Sequence, residues 1–429
     1  MKKFYLILAF FLLFAPLRSQ LILDSLHKQS IALRKYDPEK SFRTAQKAYE
    51  IALSLESLPD QALALRNMGT ACIFLEKYAL GIKLLKKSLY LYEKLNDLRG
   101  ISACLNNLGV LYTRVKNIDA AAYSYLQEIF VDLKLKDTAS VSYGINNLAQ
   151  ILQLKGLYSY ALPLYKLSLK LDLKYQDSLN AATTMIALAN LYSELDSTQK
   201  SNYYVKQAIK IAKRYDDSLM LAHAFKIAGE NFRNLRQFDS AYNYLKQSLR
   251  IDKKYGYGEG LINSYIYYAY LLADVGELDS AREYFFSAMN DCIQNNNQFL
   301  AYHSLLVYSE ILYKQKQWKE SINTLLNALE IAEQMGYELE KPNIYLLLSQ
   351  NYTAIHEPDS ANHYKQLYLL NKPAKNPTTP HSSTPNGIWL GIFVFAFVIV
   401  FFIGLWLILE ILKIRKLRMT LQSPHEERH

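Results

Sequence analysis

The sequence predicts an all-α protein: a right-handed superhelical α-solenoid of antiparallel helix hairpins plus one transmembrane helix near the C-terminus. Three observations point there. Half of the 429 residues are hydrophobic, while Gly (15) and Pro (11) are scarce, a mix that suits long helices and argues against disorder or a β-sandwich. Two columns of small residues recur every 40 positions, and a fixed period of that length marks a repeat array. Finally, Gly387 to Leu409 contains no charged residue and is long enough as a helix to cross a hydrocarbon core.

The first small column is Gly69, Gly109, Ala149, Ala189, Gly229, Ala269, Ser309 and Ser349. Twelve residues beyond each stands Gly81, Ala121, Ala161, Ser201, Ala241, Ala281, Ser321 or Ala361. Antiparallel helices approach to about 8–10 Å only where small residues permit it. Two small columns locked twelve apart therefore predict a helix A and a helix B that touch across a short turn. Large residues flank the columns, as Leu108, Tyr112 and Tyr125 do in one copy, and fill the grooves between hairpins. Asp119, Asp239, Asp279 and Asp359 share a turn column and are expected to N-cap helix B. Asp97, Asp137, Asp177 and Asp217 form a second column marking the boundary before each helix A. Pro163 is expected in the first turn of its helix, where no intrahelical N–H is lost.

Each end carries its own topological signal. Lys2-Lys3, an apolar run from Phe4 to Ala15 and the small Ser19 read as a secretory signal peptide over 1–19. A degenerate first copy is expected over 20–61, eight copies over 62–370 and a Pro/Ser/Thr stalk over 371–386. A transmembrane helix over 387–411 follows, with Trp389 and Trp406 at its two ends, then a basic tail over 412–429. Lys413, Arg415, Lys416 and Arg418 place that tail in the cytoplasm by the positive-inside rule. The expected location is thus a bacterial inner membrane, single-pass, with the repeats in the periplasm.

Charge is largely topological in this reading. Eight of the 49 basic and three of the 39 acidic residues lie in the leader and the last 20 positions, leaving 41 and 36 in the body. No basic stripe is evident at that level, so nucleic acid is not an expected partner. Cys72, Cys104 and Cys292 are too few and scattered for a disulfide framework or zinc site and read as packing residues. No phosphate-binding, nucleophile-elbow or metalloprotease motif occurs, and the eight histidines are dispersed. Neither an enzyme nor a cofactor is expected.

The small–Tyr–small–aromatic pattern of Gly109, Tyr112, Ala121 and Tyr125 resembles the tetratricopeptide repeat in a longer, 40-residue form. That resemblance implies a concave groove lined by helix A which binds a protein or an extended peptide. Carried onto this sequence, the family's groove positions include Arg66, Asn106, Asn146, Gln150 and Asn190, then Lys226, Glu230, Arg233, Tyr270 and Glu310. Asn67, Asn107 and Asn147 form a further column, similar to the asparagine ladders of kinesin-light-chain-like repeats. Their amides can donate to and accept from a peptide backbone, or bond within and between helices; both readings stand at this level. The two-lysine clamp that other members use for a terminal carboxylate is not assembled.

Signal peptide, repeats, membrane helix and basic tail together resemble the periplasmic sensor region of bacterial membrane-bound histidine kinases and helix-turn-helix regulators, without their output domain. Two function readings follow. One is a membrane-anchored periplasmic scaffold or sensor that grips a partner in its groove. The other is a truncated or split signal-transduction receptor, whose kinase or DNA-binding output is missing or on another chain and whose cytoplasmic tail would have its own partner.

Overall fold

A computed structural model describes residues 19–371 apart from 35–36, 256–257, 295–296 and 336–340. Every regular element among them is a helix, eighteen in all. They are α1 (19–33), α2 (Pro38–Ser54), α3 (Leu58–Phe74), α4 (Tyr78–Lys94), α5 (Leu98–Arg114) and α6 (Ile118–Leu135). Next come α7 (Thr138–Leu154), α8 (Tyr158–Lys174), α9 (Ser178–Glu194), α10 (Thr198–Arg214), α11 (Ser218–Asn234) and α12 (Phe238–Tyr255). The last six are α13 (Gly258–Val275), α14 (Leu278–Gln294), α15 (Gln298–Lys314), α16 (Trp318–Gln334), α17 (Lys341–Ala354) and α18 (Pro358–Asn371). Contacts divide the chain into two compact units, with the boundary inside α7 between Ile151 and Leu152. Each unit is a stack of helix hairpins.

Local chemistry sets a half-repeat of twenty residues. Successive helix ends place one residue in the left-handed region: Glu56, Glu76, Asn96, Lys116, Lys136, Gly156, Gln176 and onward to His356. At each, the next amide reaches back five residues, as in Ser57 N–H to Ala52 O (3.0 Å), Asp97 to Tyr92 (3.0 Å) and Asp217 to Ala212 (3.0 Å). This is the bond that closes a helix C-terminus and satisfies its free carbonyls. Glycine would enter that conformation without strain, yet only Gly156 and Gly276 supply it among the described residues.

The residue after the left-handed one opens the following helix. Asp97, Asp137, Asp177 and Asp217 each accept from the amide three positions on at 2.9–3.2 Å, as an N-cap does. Asn117 does the same for α6. The expected capping role of Asp119, Asp239, Asp279 and Asp359 is corrected: they lie inside the first turn, where a carboxylate faces the helix dipole. Pro163 is corrected too. It is the sixth residue of α8 and lies beyond the first turn, so it removes the N–H that would reach the Ser159 carbonyl.

The two small columns meet as the spacing requires. A Cβ on Gly81 would lie 3.0 Å from the Cβ of Cys72 and 3.2 Å from the Gly69 carbonyl. Where the column carries serine, the hydroxyl donates to the facing backbone: Ser201 to Ala189 O (2.7 Å), Ser321 to Ser309 O (2.8 Å) and Ser349 to Ala361 O (2.9 Å). The first hairpin closes on a reciprocal pair, Ser30 Oγ to Ser41 O and Ser41 Oγ to Ser30 O. The core is correspondingly a series of seams between helices, such as Leu85, Leu108 and Leu111 in the first unit and Tyr302, Leu306 and Leu325 in the second. All three cysteines are buried free thiols, and burial pushes each up to about 11.

The expected architecture and location need correction in their membrane part. Among the described residues, no helix is long and apolar enough to cross a membrane. The structure therefore gives no support to a transmembrane component or to the single-pass inner-membrane placement built on it. The segments expected as signal peptide (1–19, all but its last residue), stalk (371–386, all but its first), transmembrane helix (387–411) and tail (412–429) lie outside the described residues.

One buried pair works against the fold. Glu128 and Asp132, one turn apart on α6, are 3% and 1% exposed, and Glu128 Oε2 and Asp132 Oδ2 have no hydrogen-bond partner. Desolvation, then mutual repulsion, holds the Glu128 carboxyl well above its ordinary value. Desolvation also raises Asp132, against a hydrogen bond from Ser102, to about 6. The folded chain therefore holds these protons more tightly than the unfolded chain, and stability falls as pH rises from 3.8 towards about 6. Asp132→Asn should raise stability at neutral pH by about 1–2 kcal/mol, a gain that vanishes below that window in urea titrations at several pH values. Gly81→Val should cost about 1–3 kcal/mol, because its Cβ would meet Leu111 Cδ1 at 2.9 Å, with the Cys72 Cβ and the Gly69 carbonyl closing in behind; an unchanged thermal midpoint would refute the close approach.

Candidate functional site

The odd-numbered helices form the inner face of each unit. In the second unit α11 packs against α9 and α13, and α13 against α15; in the first, α3 packs against α5. The even helices α4, α10, α12, α14 and α16 instead pack on the odd helices before and after them in sequence. Side chains on the odd helices therefore converge while those on the even helices diverge, giving each unit a concave side.

In the first unit the polar residues of this face are largely engaged by the fold. The Asn67 amide meets His27 Nδ1 at 3.5 Å, Asn107 donates to Thr70 Oγ1 at 3.1 Å, and Asn147 donates to Asn106 Oδ1 at 3.3 Å. That column thus bonds each odd helix to the one before it. Asn106 accepts one of those bonds. Arg66 is half-buried with its guanidinium 5.9 Å from the Tyr92 ring. Asn146 is 8% exposed and its Oδ1 has no hydrogen-bond partner, whereas Gln150 is exposed.

The second unit gathers more chemistry. Asn190 is half-buried on α9. Lys226 is 7% exposed, and its ammonium bonds Asp252 at 3.0 Å and the Gly260 carbonyl at 3.2 Å. Asp252 also accepts from Ser264 at 2.6 Å, so the lysine closes a buried polar network and its charge is used inside the protein. Arg233 pairs with Asp274 at 2.9 Å and lies 5.0 Å from the Tyr270 ring. Asp274 takes Lys314 at 3.0 Å, and Lys314 takes Glu310 at 3.0 Å. Glu230 hydrogen-bonds Tyr267. A ladder of alternating charge and aromatic rings thus runs across α11, α13 and α15.

The concavity shows in the electrostatics. Glu230 and Tyr267 are only half-buried and His223 is exposed, yet surrounding protein displaces much of their water. Desolvation raises Glu230 despite Arg233. The Glu230 charge, then desolvation, holds Tyr267 well up. Desolvation and the Lys226 charge press His223 down to about 4, so it is neutral at neutral pH. Among the described residues, no group of His, Cys, Asp and Glu could hold a metal.

Asp252, Asp274 and Lys314 belong to this constellation but were not singled out from the sequence. A signal for one of them exists. Asp132, Asp172 and Asp252 share a 40-residue column on the buried stripe of helix B, and an acid recurring at a core position calls for a partner. Lys226→Met should destabilise the second unit by about 3–5 kcal/mol, because it strands a buried carboxylate. The double variant Lys226→Met/Asp252→Asn should recover most of that loss in a double-mutant cycle; strictly additive effects would break the link between the two.

No curated protein matches the sequence. Among solved structures, a Rap protein complexed with competence and sporulation factor is 13% identical, covering 83% of this chain and 98% of that one with a TM-score of 0.62. The Rap conjugation gene regulator of plasmid pLS20 in complex with the Phr* peptide is 12% identical, covering 75% and 96%, with a TM-score of 0.55. The apo form of the quorum sensor NprR from B. thuringiensis is 14% identical, covering 81% and 98%, with a TM-score of 0.51. At such identity these likenesses establish the fold. A family model described as tetratricopeptide repeat matches residues 60–129 and 137–214, so the hairpins of these two segments are tetratricopeptide repeats.

Proposed function

We propose that this chain is a binding scaffold, acting without catalysis, that grips a protein segment or extended peptide along the inner face of its odd helices. The observation that carries the reading is the ladder of Glu230, Arg233, Tyr267, Tyr270 and Glu310, fixed by contacts between successive odd helices yet still reached by solvent. Concave surfaces of stacked hairpins commonly bind extended chains. Likeness in fold to proteins solved with a competence and sporulation factor and with a Phr* peptide supports it. In the first unit the amides of Asn67, Asn107 and Asn147 are committed to the neighbouring helix. The second unit, where rings and charges share the face, is therefore the main contact.

Glu230 is the group best placed to select a partner. A carboxylate in a poorly hydrated groove attracts a lysine, arginine or terminal amine more strongly than one in open water. Its raised value means that it protonates at a higher pH than an ordinary glutamate. Binding of a lysine-bearing extended peptide, followed by fluorescence anisotropy, should weaken as pH falls through that raised value. Glu230→Gln should bind the same peptide more weakly at neutral pH, by about tenfold, and lose the acid dependence. Identical acid profiles for wild type and variant would remove Glu230 from the contact.

A further inference from the structure

The even helices of the second unit carry a feature that the whole-chain charge count conceals. Lys166 on α8, Lys206 on α10 and Lys246 on α12 stand 40 residues apart and are exposed. One turn further along the same helices stand Lys170, Lys210 and Arg250, again exposed. One more turn brings Lys174, Arg214 and Lys254, exposed as well. Residues four apart share a helix face about 5–6 Å from one another, so the three rows form a grid on the outer side of three consecutive hairpins. The three helices contain three acidic residues: Asp172 and Asp252 are 2% and 1% exposed, and Asp239 lies in the first turn of α12. Asp239 is exposed two turns before Lys246, but basic residues outnumber acidic ones on the exposed side of these three helices, and the reading that the body holds no basic stripe is overturned.

The third row has a local explanation, since cations at a helix C-terminus favour the dipole. The first two rows have none. Like charges four apart repel along a helix, and α10 stacks Lys206, Lys210 and Arg214 in that relation with no acidic residue in its sequence. The grid ends abruptly: at the equivalent places α14 has Phe286, Asn290 and Gln294, and α6 has Leu126, Phe130 and Lys134.

We propose that this outer face docks an acidic helix of a partner protein, one bearing Asp or Glu at successive i, i+4 positions. The lysine spacing is itself i, i+4 along three helices, which a helix with the same repeat of carboxylates would match. Nucleic acid fits less well. The tyrosines that border the grid are covered by its own lysines, with Lys174 5.1 Å from the Tyr175 ring, Lys254 5.2 Å from Tyr255 and Lys246 5.3 Å from Tyr242, so those rings are not free platforms for bases.

The test uses the full chain and a labelled alanine-based helical peptide with glutamates at i, i+4 and i+8, followed by fluorescence anisotropy at two salt concentrations. Wild type should bind, more weakly at high salt. Lys206→Glu/Lys210→Glu/Arg214→Glu should weaken binding by about tenfold or more, and so should Lys166→Glu/Lys246→Glu/Arg250→Glu. The control Lys47→Glu/Lys83→Glu/Lys87→Glu, with the same change in net charge, should not. Circular dichroism checks that every variant is folded. Equal loss in the control would reduce the effect to net charge and overturn the site. Tighter, grid-dependent binding of a single-stranded oligonucleotide or of phosphatidylglycerol vesicles would overturn the acidic helix as occupant, and no binding of the peptide would overturn the proposal outright.

Discussion

Close approach of two helices at paired small residues is the constraint on which the rest of the structure depends. Gly69 faces Gly81 so tightly that an added methyl would meet backbone, and Ser201, Ser321 and Ser349 turn the same proximity into hydrogen bonds to the facing carbonyl. With the hairpin closed at that point, its remaining apolar surface must be covered by the next hairpin, so burial in each unit propagates along the stack rather than into one nucleus. A small side chain contributes little by its own burial; its role is to let larger neighbours such as Tyr125 and Leu245 reach across.

The twenty-residue half-repeat has a different origin. It comes from the backbone at helix ends, where a left-handed residue, a bond reaching back five residues and an Asp or Asn cap recur in order. Helices of 17 residues predominate because the same closing chemistry returns at the same interval. Residues such as Lys116 and Arg236 adopt the left-handed conformation without being glycine. The penalty of roughly 1–2 kcal/mol for such a residue is offset by the carbonyls satisfied there and by the packing of the helices on either side.

Charge is distributed by side. Facing inward, Arg233, Asp274, Lys314 and Glu310 neutralise one another across three helices, and Lys226 is taken up by Asp252. Facing outward, α10 carries its lysines with no acidic residue at all, and α8 and α12 bury Asp172 and Asp252, leaving Asp239 as the one exposed acid on the three helices. The inner face is thus suited to adaptable contacts with an extended chain, the outer to long-range attraction of a negatively charged one.

What the sequence determined by itself was the repeat. The 40-residue columns of Gly, Ala and Ser, and the helix–helix contact they permit, could be read from spacing alone because steric exclusion leaves few residue types at a point of close approach. The helix boundaries at Asp97 and Asp177 were visible in their 40-residue column, though not their role as caps, and Asp119 and Pro163 were placed wrongly because a shift of a few residues along a helix end leaves the repeat frame unchanged. The fate of each polar group was decided only in three dimensions. Asn147 is spent on Asn106, Lys226 on Asp252, and Arg233 on Asp274, pairs separated by 41, 26 and 41 residues. Which amide or charge meets which depends on how far successive helices are displaced from one another, and that displacement is set by the packing of whole hairpins.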